Sequence, residues 1–599
     1  MKIEAQKKNK WEQYILPIIL VVLCFLDFNR GIDMSDTGYS ATNFLFFHDL
    51  LGQRVFSTFI SLLVGHGMVL LPYGDTLAGL SFYCTFILVA LAWLGYFWMK
   101  ERVDYRVVFI SEVMALFLCW TPRVVLYDYL TFLLFNVCVI LLYSGLEKDS
   151  WIRMILAGGV LGVNTFVRIS NIAEVTLIVI VWIYGCFSYK EKGINKFNEK
   201  LLWQIKYTLI CMAGWFIGAG LCMGIFMKAY HKDSVEAAIK QLTTISQGGS
   251  HSLSNIFTGP FYQIKPIYIP LAAIIAILLC SVLYSYLIRN KNKWFHKFGY
   301  MIFGTLMLLL YIYMYKKQIY SFVSTSYMSI FYVTMMVCIW GVGVSILNFF
   351  VQKEKEPRIL AIIYIILLYI TPLGSDTYSM LDLNNMYLML PLIIYETNYF
   401  WRYLKEISRK RIEDGDKIWH ISKILTVTSF IFISFLWTRF GVDYLYGASK
   451  PETIITEENP LKYMRTTSNK ADSLNAIIEY YDESGSGQLI EMCNSPIFYY
   501  LLKAKPVLSN CWPELGSYQY SNMLSELETI SNMGMKNHEY PEIIVSSTDV
   551  VGYQMFCNEP DLDDSSFNDI KKAALFRFMY NNNYEIILDT GEHAVYKVK

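Results

Sequence analysis

Apolar residues along this chain fall in long uninterrupted runs. Tyr14 to Leu26, Leu77 to Met99 and Ile267 to Ile288 approach or reach the roughly 20 residues that carry a helix across about 30 Å of hydrocarbon. Core helices of soluble proteins are shorter and keep a polar stripe, so these runs predict membrane spans. The pattern predicts helices near residues 12–28, 76–99, 107–120, 130–146, 154–167, 172–188, 203–227, 266–288, 298–315, 325–349, 359–372, 386–402 and 418–438. That makes about thirteen crossings within residues 1–439.

Two places depart from a simple up-and-down bundle. Residues 29–75 are only moderately apolar, and the helical spacing of Asn43 to Leu51 and Val55 to Leu71 is broken by His48, Asp49, His66 and Gly67. This predicts helices lying in the interface plane. The spans at 107–120, 130–146 and 154–167 are short, which predicts a cavity at their outer ends. Beyond Arg439 the period changes to alternating strands and amphipathic helices, predicting a small α/β domain over residues 440–599. Strands are expected at Gln488 to Met492, Glu542 to Ser546 and Tyr584 to Leu588. Helices are expected at Lys470 to Tyr481, Pro496 to Leu502, Tyr518 to Ser531 and Ser566 to Asn581.

Composition agrees with lipid as the main solvent: 55% of residues are hydrophobic and 17% charged, against about a quarter charged in soluble domains. The net charge of +1 conceals two unlike parts, because residues 440–599 hold 23 acidic and 12 basic side chains. Lys and Arg cluster at Lys2 to Lys10, Lys100 to Arg106, Lys148 to Arg153, Lys190 to Lys206, Arg289 to Lys297, Lys353 to Arg358 and Arg402 to Lys417. Placing these clusters inside puts the N-terminus in the cytoplasm and the acidic domain outside. Nine of the twelve cysteines lie in apolar spans, where a thiol behaves as a small hydrophobe. Cys493, Cys511 and Cys557 remain, leaving room for one disulfide, Cys493 with Cys511. No GxGxxG or Walker sequence occurs, and neither a nucleotide nor a nucleic-acid partner is expected.

The most informative segment is Asp33-Met34-Ser35-Asp36-Thr37-Gly38-Tyr39, just after the first span. Two carboxylates three residues apart can face one side of a helical turn. Such a pair suits either solvated boundary residues or the removal of a proton from a hydroxyl. Arg123 and Asp128 fall in the loop predicted between the third and fourth spans, and Arg168 and Asn171 at the outer end of the fifth. An arginine at membrane depth needs an anionic partner, either a carboxylate or a phosphate. Lys228 and His251 belong to the loop 228–265, and Asn384 and Asn385 to a polar turn late in the chain. Glu112, Glu174 and Glu396 fall within or near spans, as packing partners or as the walls of a polar cavity.

Acidic residues directly after the first helix, interfacial helices, about thirteen spans and an outer C-terminal domain together resemble the glycosyltransferase-C superfamily. Its members include protein O-mannosyltransferases, the aminoarabinose transferase of lipid A and the catalytic subunits of oligosaccharyltransferases. The resemblance covers nearly the whole chain as architecture. It implies a GT-C-like α-helical membrane protein that moves a sugar from a polyprenyl-phosphate donor to an acceptor hydroxyl on the extracytoplasmic face, with inversion. The acceptor would be a glycan, a lipid or a protein. Asp36 would be the base, with Asp33 beside it and Asp128 at the second acidic position. Tyr39, Arg123, Arg168, Asn171, Lys228 and His251 would contact substrate. A divalent metal, Mg or Mn, would use Asp33, Asp36 and Asp128. Asp-x-x-Asp stands where the superfamily usually has Asp-Glu or Asp-x-Asp, so the division of labour between Asp33 and Asp36 stays open. The other readings are a transporter or flippase, or a polymerase, of lipid-linked glycans. A transporter would be expected to show paired repeats and midspan acids, and no repeat is visible.

Overall fold

The computed structural model describes residues 10–26, 28–51, 55–120, 123–124, 126–188, 197–230, 232–245, 253–287, 305–306, 308–310, 312–317, 319, 327–375, 377–408, 452–453, 460–516, 518–537, 539–558 and 569–599. The first part is helical. In chain order the helices are α1 (Lys10–Phe25), α2 (Asp36–Leu45), α3 (Phe59–Val69), α4 (Leu77–Met99), α5 (Tyr105–Leu118), α6 (Leu126–Glu147), α7 (Trp151–Val167), α8 (Val179–Ser188) and α9 (Phe197–Ala229). They continue with α10 (Lys232–Ile245), α11 (Leu253–Gln263), α12 (Tyr268–Leu287), α13 (Tyr327–Val351), α14 (Lys355–Ile370) and α15 (Met386–Ile407). Among the described residues, six helical segments are long and apolar enough to cross a bilayer: Leu77–Met99, Tyr127–Glu147, Ile169–Phe187, Asn198–Ala229, Lys265–Leu287 and Ile330–Val351. Trp11–Phe25, Phe56–Val69 and Trp151–Val167 are apolar but shorter.

Helices therefore stand close to where the apolar runs place them, and among the described residues membrane-crossing length is found for six of the thirteen expected spans. The expected span at 418–438 lies outside the described residues, and only part of 298–315 is described. The segment expected as a short fourth span is the 22-residue α6. It takes in residues ahead of the expected start at 130, and there Asp128 and Tyr129 are buried. Helices α7 and α9 lie backbone against backbone, Gly158 against Cys211 and Trp215, Gly162 against Trp215 and Ala219, and Gly218 against Gly159.

The C-terminal part contains α16 (Ser468–Ser484), α17 (Ile497–Leu501), α18 (Tyr520–Asn537), α19 (Ser547–Asn558) and α20 (Ile570–Asn581). Its strands are β1 (Glu452–Thr453), β2 (Arg465–Thr466), β3 (Gln488–Met492), β4 (Lys505–Pro506), β5 (Glu542–Ser546), β6 (Tyr584–Asp589) and β7 (His593–Val598). Five of these form a sheet of order β4-β3-β5-β7-β6, parallel across β4, β3 and β5 and antiparallel on both sides of β7. The three expected strands form, and β7 adds a fourth long one, placed between β5 and β6. Cys493, Cys511 and Cys557 are all free thiols, so the expected disulfide does not form.

This domain sits on the loop that follows α1. Asn29 accepts through its carbonyl from Arg465 N at 2.9 Å, and Gly31 N donates to Arg465 O at 2.8 Å. Ile497 N donates to Met34 O at 3.2 Å, Thr42 Oγ1 to Pro496 O at 2.8 Å and Tyr500 OH to Gly74 O at 3.2 Å. Gly38 touches the backbone of Ile497, and a Cβ there would collide with it. The turn that makes this contact is held by carboxylates. Glu491 Oε1 accepts from Cys493 N at 2.7 Å and Ser495 N at 2.6 Å, and Glu514 Oε1 accepts from Asn494 N at 2.9 Å.

Gly38→Ala is expected to separate α2 from α17 and to lower stability by about 1–3 kcal/mol, read as a lower melting temperature of the detergent-solubilised protein. Burial pushes the Glu491 and Glu514 carboxyls above their ordinary value, helped at Glu491 by the charge of Glu514 and at Glu514 by that of Asp569. The folded state then holds protons that the unfolded chain releases, so stability falls as pH rises above the usual carboxylate range. Glu491→Gln should flatten that fall, melting higher than the parent at about pH 8 and nearly equal to it at about pH 5, as thermal melts across pH would show.

Candidate active site

After Gly31, which takes a positive φ of 78°, the chain turns into α2 through Asp33. Asp33 Oδ2 accepts from Thr37 N at 2.6 Å, and Oδ1 accepts from Ser35 N at 3.2 Å and Ser35 Oγ at 3.0 Å. It therefore caps the helix, a use typical of an aspartate just ahead of a first turn. Sequence spacing had put Asp33 and Asp36 on one helical face; the structure instead leaves Asp33 outside the helix and starts the helix at Asp36. Asp36 makes no side-chain hydrogen bond among the described residues. It keeps an open face to solvent while protein crowds its remaining sides. Loss of hydration in this recess, followed by the negative charges of Asp33 and Asp128, pushes the Asp36 carboxyl up to about 7.

Asp128 lies in the first turn of α6, not in a loop, and is 6% exposed. Arg168 is the residue at which α7 ends, in extended backbone. Its Nη1 stands 3.9 Å from Asp128 Oδ1, and its Nη2 donates to Leu373 O at 3.3 Å. Gly374 turns beside it with φ of 77°, close to Ser170, whose buried Oγ has no hydrogen-bond partner among the described residues. A guanidinium carries five N–H donors, so this one retains capacity for an anion. Carboxylates from α2 and α6 and a cation from the end of α7 are thus brought together from positions 36, 128 and 168.

Other expected contacts are used by the protein itself. Asn171 is buried, and its amide nitrogen donates to Thr131 Oγ1 at 2.9 Å, Asn164 O at 3.0 Å and Asn164 Oδ1 at 3.2 Å. Asn164 in turn donates to Glu174 Oε2 at 2.8 Å, which gives that glutamate a partner inside the helices. Arg123 donates to the carbonyls of Cys24 at 2.7 Å and Leu26 at 3.2 Å, closing the last turn of α1. Asn385 donates to Thr371 Oγ1 and accepts from Asn136, and Asn384 accepts from Trp120 N, so both belong to the packing of the turn. Glu396 accepts from Asn348 at 2.7 Å. Glu112 is fully buried against Gly95. Lys228 is exposed at the end of α9, and His251 lies outside the described residues.

The three aspartates do not fit a metal. Both Asp33 oxygens are taken by the cap, Asp128 faces Arg168, and no group of three or more His, Cys, Asp or Glu side chains among the described residues could hold an ion.

Tyr39, one turn after Asp36, has its ring 6.0 Å from that of Trp512 in the C-terminal domain. It also borders a cavity of ≈ 380 Å³ between α2 and the chain following β4, with Asn43, Ser509 and Asn510 among the lining residues. Sequence reasoning missed Trp512, Asn510 and Asn43, because nothing in the local pattern pairs residue 43 with a segment centred 468 positions later.

No family model and no curated protein matches the sequence. In structure, the chain is similar to the oligosaccharyltransferase of Archaeoglobus fulgidus crystallised with zinc and sulfate, at 10% identity, over 90% of this chain and 69% of that one, with a TM-score of 0.44.

Proposed function

We propose that the protein is a membrane glycosyltransferase that moves a sugar from a polyprenyl-phosphate donor to an acceptor hydroxyl on the extracytoplasmic face. The observation that carries this reading is Asp36, a carboxylate open to solvent on one side and raised to about 7 by its surroundings, next to the Asp128 and Arg168 pair. A general base works best when its pKa lies near the operating pH, and Asp36 meets that condition. Asp36 accepts the proton of the acceptor hydroxyl as its oxygen bonds to the anomeric carbon. The bond from that carbon to the phosphate oxygen breaks, and its electron pair leaves with the polyprenyl phosphate. Attack opposite the leaving group gives inversion. Arg168 neutralises the charge that grows on the phosphate, and the partnerless Ser170 hydroxyl supplies a further donor. Asp128 holds the guanidinium in place at 3.9 Å, a separation loose enough for a phosphate oxygen to compete. Residues 1–439 would form the membrane body, crossing about thirteen times from a cytoplasmic N-terminus, and residues 440–599 the outer domain.

Membranes containing the protein, incubated with radiolabelled polyprenyl-phosphate sugars, test this directly. Asp36→Asn should lower transfer roughly 100-fold or more, and equal transfer by the two proteins removes Asp36 from the mechanism. In the parent, the rate should rise with pH and level off above about 7, since the base acts only when ionised. Arg168→Lys keeps the charge but loses the planar fork, and should lower the maximal rate about tenfold or more while transfer remains measurable.

A further inference from the structure

We propose that the cavity between α2 and the segment 505–511 binds the acceptor, and that the acceptor there is a neutral, hydroxyl-rich saccharide chain. This rests on the transferase reading and adds the substrate class. The volume of ≈ 380 Å³ falls within the range of small-ligand sites. The chemistry of the lining selects the ligand. Its charged groups are already matched: Lys505 pairs with Asp49 at 2.9 Å, and Glu526 accepts from Ser509 N at 2.8 Å and from the Tyr518 hydroxyl at 2.8 Å. The lining therefore carries no net positive charge to attract a phosphate, and its one surplus carboxylate, Glu526, is occupied by neutral donors.

Two neutral amides do remain. Asn43 and Asn510 are each 6% exposed and border the cavity. Asn43 Oδ1 is approached by the Cys511 thiol at 3.7 Å, and Asn510 Oδ1 accepts from Trp512 N at 3.0 Å. Neither amide nitrogen has a hydrogen-bond partner among the described residues, so both present N–H donors to a bound oxygen. Phe46, Leu50 and Leu62 supply an apolar side against which the C–H faces of sugar rings can lie. Tyr39 closes the end nearest the base.

Helical geometry gives the direction. Asp36, Tyr39 and Asn43 lie on one face of α2, and seven residues of helix rise about 10 Å, the length of a short saccharide. A chain seated at Asn43 and Asn510 therefore extends its terminal hydroxyl toward Asp36.

The test uses the full-length protein in lipid nanodiscs with chitobiose, maltose and cellobiose as probes, read by saturation-transfer NMR. Leu51→Trp fills the cavity from a half-exposed position, and Asn510→Leu removes one donor. The expected result is that at least one disaccharide binds, that both variants weaken it about tenfold or more, and that Asp36→Asn leaves it intact. A melting curve for Leu51→Trp equal to that of the parent shows that the loss is local. Failure of all three disaccharides to bind overturns the proposal, as does binding indifferent to both variants or displaced by an uncharged acetyl-trialanine amide. Disaccharide binding without any sugar transfer would instead remove the transferase reading and leave the saccharide site standing. Transfer without disaccharide binding would do the reverse.

Discussion

The position of Asp36 depends on how closely α2 can approach the C-terminal domain. Gly38 lies against the backbone of Ile497, and no other residue fits without a shift of one element or the other. Around that contact, Met34 O, Thr42 Oγ1, Gly31 and Asn29 all bond to residues more than 400 positions later. Each bond is worth only about 1 kcal/mol net, but together they fix the loop that follows α1. The helix that carries Asp36 is therefore tied directly to the domain behind it.

That rigidity matters because the charges nearby are costly to hold together. Asp36 shares its surroundings with Asp33 and Asp128, and like charges repel unless each is paid for locally. Asp33 is stabilised by three donors from the start of α2, and Asp128 by Arg168. Asp36 has no side-chain hydrogen bond among the described residues, and loss of hydration, followed by the charges of Asp33 and Asp128, raises its proton affinity. With one acid capped and another beside a guanidinium, Asp36 is the carboxylate that keeps an open face to solvent.

Much of this was legible in the sequence, for reasons that differ by region. Long apolar runs such as Leu77 to Met99 give α4 at its observed bounds, because burial in lipid demands continuous hydrophobicity. Strands Gln488–Met492 and Glu542–Ser546 are equally plain, each being an apolar run beside turn residues. The loop after α1 is where reading failed. Apolar spacing begins only at Asn43, yet the helix starts at Asp36, because its polar first turns are covered by protein rather than by lipid. The same cover hides the role of Asp33 as a cap. The separation of Asp128 from Arg168 could be anticipated from the cost of an unpaired arginine at membrane depth, whereas Trp512 beside Tyr39 follows only from tertiary contact.

The acidic domain then has a physical task besides covering the loop. Glu491 and Glu514 together receive the N–H groups of residues 493, 494 and 495, so the turn that leads into α17 is fixed by two buried carboxyls. Each keeps its second oxygen buried without a partner among the described residues, Glu491 Oε2 and Glu514 Oε2. Burial raises the proton affinity of both, so the turn is firmest at a pH where they stay protonated. The residues that α17 presents to α2 inherit that condition, since Ile497 and Pro496 follow directly. Protonation in the C-terminal domain and the placement of Asp36 are in this way two ends of one connected structure, joined through a contact that only glycine permits.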